Sequence, residues 1–104
     1  MRIIIAGMGA VGYQLAKQLS SESHDIIAID KDHERLSYTD QMTDILTING
    51  SSTSIYTLKS AKVDKADLLV AVTSSEEVNL TTAILGKKLG AKRTIARISN
   101  AEYL

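Results

Sequence analysis

Apolar residues in this chain come in short consecutive runs, and polar stretches with helical spacing separate them. The runs at 2–6, 25–29, 45–48, 68–72 and 94–98 predict five strands. Most are apolar at successive rather than alternate positions, as strands covered on both faces of a parallel sheet are. Between the first two runs, Val11, Leu15 and Leu19 recur every fourth residue and predict a helix with one apolar stripe. Residues 32–42 predict a weaker helix with Asp32 as its N-cap. Ser52 or Thr53 is expected to cap a third helix that turns Ile55 and Leu58 inward.

A fourth helix opens on a capping-box pattern in which Ser74 and Glu77 satisfy each other's free amides. Val78, Leu85 and Leu89 form one stripe on it, Leu80 and Ile84 a second, and Gly90 falls where a left-handed C-terminal cap is expected. The second stripe implies burial against either a neighbouring helix of the same domain or another subunit. Five strands joined by four right-handed crossovers make an α/β, Rossmann-like doubly wound parallel sheet, with strand order 3-2-1-4-5.

Composition narrows the function classes. The 104 residues suit one domain, and 44% hydrophobic with 23% charged residues is ordinary for a globular protein. Twelve basic side chains balance twelve acidic ones, so a positive surface for nucleic acid is not expected. There is no cysteine, which removes disulfide and thiol chemistry and fits a cytosolic setting. The apolar runs are far shorter than the roughly 20 residues of a membrane span, so no direct membrane insertion is expected. The apolar run that opens in Met1–Ile5 also falls short of the roughly 7–15 residues of a signal peptide's apolar region, and a glycine interrupts it.

The stretch "IIIAGMGAVGYQLA" carries the candidate chemistry. Gly7, Gly9 and Gly12 follow the first strand and open the first helix, and Asp30 ends the second strand about 20 residues on. Gly7 permits the sharp turn, Gly9 lets a pyrophosphate approach the backbone, and Gly12 lets helix and strand pack closely. The amides of Ala10, Val11 and Gly12 are expected to face the anion, and Met8 to contribute only its backbone. Asp30 is expected to accept from the adenosine ribose hydroxyls, which favours NAD over NADP because a carboxylate repels a 2′-phosphate. Lys31 and Arg35 lie close enough to blunt that repulsion, or are solvated charges on the second helix. The same glycines also fit a plain strand–turn–helix corner.

Other ionisable residues point to little chemistry. His24 and His33 lack a third ligand at metal spacing and read as surface histidines. Residues 64–67, Asp-Lys-Ala-Asp, read as a solvated turn. Arg97 falls near the carboxyl end of the fifth strand, the edge where such sheets bind ligands, with functional and surface readings both open.

Beyond the glycine loop, "IIAIDKDHERL", "ING", "ADLLVAVTSSEEVNL" and "TIARISNAEYL" together make the chain similar, over nearly its whole length, to the nucleotide-binding N-terminal domains of the RCK/KTN (TrkA-N) family of potassium-transport regulators. The resemblance implies one NAD-binding domain over residues 1–104, regulatory rather than enzymatic. It implies NAD or NADH as ligand, with ATP or ADP as the alternative. It further implies a membrane potassium transporter subunit as partner, self-association as a dimer or higher ring, and a cytoplasmic place at the inner face of the membrane. By position, the pyrophosphate loop is Gly7, Met8, Gly9, Ala10, Val11 and Gly12, the ribose acid is Asp30 beside Lys31, Thr73 and Ser74 line the far side, and Arg97 lies near the phosphates or the second ribose.

Three positions depart from the family pattern. Ser51 stands where an aspartate is usual, Ser99 replaces a frequent second arginine, and Ala10 replaces the arginine of some ATP-binding relatives. Family domains also run on past "EYL", so the chain is expected to be part of a longer regulator. The competing expectation is the cofactor-binding half of an NAD-dependent dehydrogenase.

Overall fold

The computed structural model describes residues 1–99. Five parallel strands, β1 (Arg2–Ala6), β2 (Asp25–Asp30), β3 (Leu46–Asn49), β4 (Leu68–Ala71) and β5 (Arg93–Ala96), form one sheet in the order β3-β2-β1-β4-β5. The helices between them are α1 (Ala10–Ser21), α2 (His33–Met42), α3 (Ile55–Ser60) and α4 (Glu76–Lys88), with a short 3₁₀ turn at Val63–Lys65. The expected architecture and strand order are those observed. Residues 100–104, which end the last family-like segment, lie outside the described residues.

Strand alternation explains the two layers. Ile3 and Ile5 of β1 pack with Ala16, Leu15 and Leu19 of α1 and Leu36 of α2 on one face. Ile4 points the other way, to a core with Leu58 of α3, Val63, Leu69, Leu85 of α4 and Ala91. Each face of the central strands is therefore dry, which is why their sequences do not alternate.

Several local expectations are corrected, and for the helix faces the reason is close packing on the sheet. Val11 is 49% exposed, and α1 instead turns Gly12 and Ala16 inward because it lies too near β1 for larger side chains. In α4 the buried residues are Asn79, Thr82, Ala83 and Gly86; a Cβ on Gly86 would come within 2.1 Å of Leu69 Cδ2. Ile84 is left 57% exposed, so among the described residues no helix covers the second stripe there. The N-cap of α4 is Ser75, whose hydroxyl accepts from the Val78 amide, and not Ser74. Ser54 rather than Ser52 or Thr53 caps α3, and Ile55 faces outward. Ser52 is buried against Thr82, hydroxyl to hydroxyl at 2.8 Å. Gly90 does take the left-handed conformation, at φ +118°.

The segment expected as a solvated turn is partly structural. Ala66 is buried, and the Asp67 carboxylate accepts from the Arg2 amide at 2.8 Å and pairs with Lys92 Nζ at 3.1 Å. The Arg2 amide first, then Lys92, holds the Asp67 carboxyl below its ordinary range. A carboxyl more acidic in the folded than the unfolded chain contributes its stability in full above about pH 4, and loses it as pH falls through the folded value. Asp67→Asn is therefore expected to lessen the loss of stability on acidification. Urea midpoints of wild type and variant at about pH 6 and about pH 3 check this, and the gap between the two proteins should narrow at the lower pH.

Candidate functional site

The strand order reverses between β1 and β4, and the cleft above their carboxyl ends is where open α/β sheets take ligands. The loop after β1 forms one wall and the loop after β4 the other. Gly7 has φ +106°, a conformation that suits glycine, and donates its amide to the Ile29 carbonyl at 2.8 Å. A Cβ on Gly12 would stand 1.7 Å from the Gly7 carbonyl oxygen, so the loop folds back on the helix start.

Asp30 is 8% exposed and organises the near wall. Its Oδ2 accepts from the Met8 amide at 2.7 Å and its Oδ1 from the Asp32 amide at 2.8 Å. Each carboxylate oxygen keeps a further lone pair. The Asp30 carbonyl accepts from the Gly50 amide and from Asn49 Nδ2, both at 3.0 Å, which joins the loop after β3 to the same wall. Met8 meets Asp30 through its backbone amide, while its side chain fills the core.

The helix starts that follow β1 and β4 differ electrostatically. The N-terminus of α4 is capped by Ser75 and carries Glu76 and Glu77 in its first turn. The N-terminus of α1 has Gly9 as its cap residue, with no side-chain cap and no acid in its first turn. Among the described residues nothing accepts from the amides of Ala10, Val11 or Gly12. A helix start left uncapped and unneutralised attracts anions. Gly9 adds space, since nothing lies within 4 Å of where its Cβ would be.

The structure gathers most of the expected residues. Gly7, Asp30, Lys31, Ser51, Thr73 and Ser74 line the cleft, joined by Arg35 and Val78. Met8, Gly9 and Ala10 line an adjoining hollow with Tyr13 and Tyr38, and Arg35 borders both. Val11 and Gly12 continue from that hollow into the first turn of α1. Arg97 is the exception: its side chain is exposed and lines neither space, although its backbone is held at the same edge.

The sequence reading left Arg35 open between the cleft and the solvent, and missed Asn79. Arg35 is no mere surface charge, because its guanidinium lies 3.9 Å from Asp30 Oδ2 and 3.7 Å from Asp32 Oδ2. Asn79, buried inside α4, bonds Thr73 on the far wall through both its oxygen and its nitrogen. An asparagine between apolar neighbours in "VNL" was the available signal.

The sequence model of the TrkA-N domain matches residues 3–104. The chain belongs to the TrkA-N family. This TrkA-N domain is 44% identical over 104 residues to a Trk system potassium uptake protein TrkA homolog of Archaeoglobus fulgidus. The match covers 100% of the chain and 23% of that relative, so the chain spans under a quarter of the relative's length. Among solved structures, the NAD(P)-binding domain of an exopolyphosphatase-related protein from Archaeoglobus fulgidus superposes with TM-score 0.85 at 19% identity, over 96% of this chain and 74% of that one. The Kef CTD of Shewanella denitrificans, in its AMP-bound form, gives TM-score 0.77 at 21% identity, over 91% and 57%. At such identities these likenesses show that the TrkA-N domain shares their fold. No helix among the described residues is long and apolar enough to cross a membrane.

Proposed function

We propose that this domain is the nucleotide-sensing unit of a potassium-transport regulator, binding NAD or NADH in the cleft between the loops after β1 and β4. Residues 1–104 act as one domain within a longer protein, and that protein gates a membrane potassium transporter from the cytoplasmic face. The observation that carries the ligand assignment is the contrast at the sheet edge: an uncapped α1 start with three unengaged amides stands beside a carboxylate held in place by two others. The first suits a pyrophosphate and the second a ribose diol. Thr73 and Ser74 close the far side, and Ser51 and Lys31 flank the adenosine end.

ATP or ADP would use the same amides and the same acid, so the cleft alone favours an adenine nucleotide as a class. Ala10 leaves the loop without a side-chain cation for a terminal phosphate, which favours the dinucleotide. The transporter assignment is supported by the Trk-system name of the similar protein, and gating by self-associated subunits follows from the same family reading.

Calorimetric titration with NADH, NAD, ATP and ADP tests the binding reading, with saturable binding expected and NADH or NAD tighter than ADP. Absence of binding by all four would overturn it. Catalysis is not expected, since the acid in the cleft is held by two amides and serves recognition, leaving no group assigned to move a proton. NADH absorbance followed with a panel of carbonyl compounds should show no substrate-dependent oxidation. Turnover there would favour a dehydrogenase half instead.

A further inference from the structure

Asn79 lies in the second turn of α4, 1% exposed. Its Oδ1 accepts from the Thr73 amide at 2.9 Å and from the Thr73 hydroxyl at 2.7 Å. Its Nδ2 donates to the Thr73 carbonyl at 3.1 Å and to the Arg97 carbonyl at 3.0 Å. The side-chain amide thus uses both donors and accepts twice. Three of the bonds hold a residue of the cleft wall. The fourth holds the first residue after β5.

Residues 97–99 are gripped from two further directions. The Arg97 amide donates to the Ala71 carbonyl at 2.9 Å, at the end of β4. Glu76, one turn before Asn79, accepts from the Ser99 amide at 2.8 Å and also from the Ser99 hydroxyl. The start of α4 therefore lines the cleft through Ser75 and Val78, and holds the exit of β5 through Glu76 and Asn79.

We propose that Asn79 is a positioning residue that ties the Thr73 wall of the cleft to the Arg97 carbonyl, so that occupancy of the cleft moves residues 97–99. This rests on the nucleotide reading and adds the route by which occupancy leaves the cleft. A rigid planar amide cannot follow one partner alone. When a ligand shifts the Thr73 backbone, either the Arg97 carbonyl travels with it or a buried hydrogen bond breaks, and a broken buried bond is the costlier outcome. The role of Arg97 in signalling then comes through its backbone, which accounts for a side chain that stands outside the cleft lining. Thr73 is also braced locally, its hydroxyl accepting from the Ser75 amide at 3.2 Å, so its movement reaches the cap of α4 as well.

Amide NMR spectra of the chain titrated with NADH separate binding from transmission. The amides of Ala10 and Gly12 report binding, and those of Arg97, Ile98 and Ser99 report what leaves the cleft. In wild type both sets are expected to shift together with saturation. In Asn79→Ala the first set still shifts and the second set's response is lost, which a residue serving stability alone would not produce. In Ser99→Ala, with Asn79 intact, the Arg97 response persists. Silence of residues 97–99 in wild type while Ala10 and Gly12 respond would overturn the proposal whatever the variants do, as would a response that survives in a folded Asn79→Ala. Absence of any response to NADH would overturn the nucleotide reading, and this inference with it.

Discussion

Replacing Asp30 with alanine is expected to weaken NADH binding roughly ten- to a hundredfold and to destabilise the empty domain by roughly 2–4 kcal/mol. The two effects have separate causes. A hydrogen bond to a charged acceptor contributes about 1.5–3 kcal/mol, so losing the ribose acceptor accounts for the affinity. The stability loss comes from the Met8 and Asp32 amides, which the same carboxylate holds at 2.7 and 2.8 Å. Asp30→Asn keeps one oxygen for one amide and should fall between the two proteins. Calorimetric titration gives the affinity and urea unfolding the stability. A variant that loses stability but binds NADH as wild type does would make Asp30 a loop anchor only, with the ribose placed elsewhere.

Asp30 also shows what the sequence could and could not tell. Its place at the end of β2, about 20 residues past the glycine loop, follows from counting. That its oxygens are already bound to backbone amides does not, because those contacts depend on how β1 and β2 pair. The sheet itself was legible for a plain reason: strands dry on both faces announce themselves as unbroken apolar runs. Helix faces were harder to read. In α1 and α4 the side that meets the sheet is marked by small residues such as Gly12, Ala16, Ala83 and Gly86, while larger apolar residues sit at the flanks. A search for apolar periodicity therefore finds the flanks, and leads to Val11 and Ile84, both exposed.

Polar residues at the site were hardest of all. Asn79 reaches partners six and eighteen residues away, across two loops, and its helical position predicts neither. Ser52 and Thr82 find each other across thirty residues. For Arg35 the sequence left two readings open, and only the fold decides between them: α2 starts at the acid cap Asp32, and that start brings the guanidinium back toward Asp30. Such contacts belong to the folded geometry, and no spacing rule encodes them.

The glycines themselves pose the sharper test, because two of the three are explained by the protein alone. Gly7 adopts φ +106°, and a Cβ there would meet the Thr73 amide nitrogen at 2.9 Å. Gly12 would drive a Cβ to 1.7 Å from the Gly7 carbonyl oxygen. Gly12→Ala is therefore expected to cost at least about 1–3 kcal/mol of stability, as overpacked sites do, and to lose NADH binding because the loop must open to make room. That result would hold for a tight turn with no ligand at all. Gly9 is different: its φ is −71°, and its missing Cβ faces open space. In the empty domain Gly9→Ala should cost about 1 kcal/mol or less, the difference between glycine and alanine at an N-cap. A pyrophosphate drawn to the amides of Ala10 and Val11 would meet that methyl group directly. Binding of NADH should then fall tenfold or more, equivalent to about 1.4 kcal/mol. Urea midpoints and NADH titrations on the two variants separate the cases. A Gly9→Ala protein that folds and binds like wild type would reduce the motif to a corner between strand and helix, and a folded one that has lost NADH would make the open space at Gly9 the seat of the phosphates.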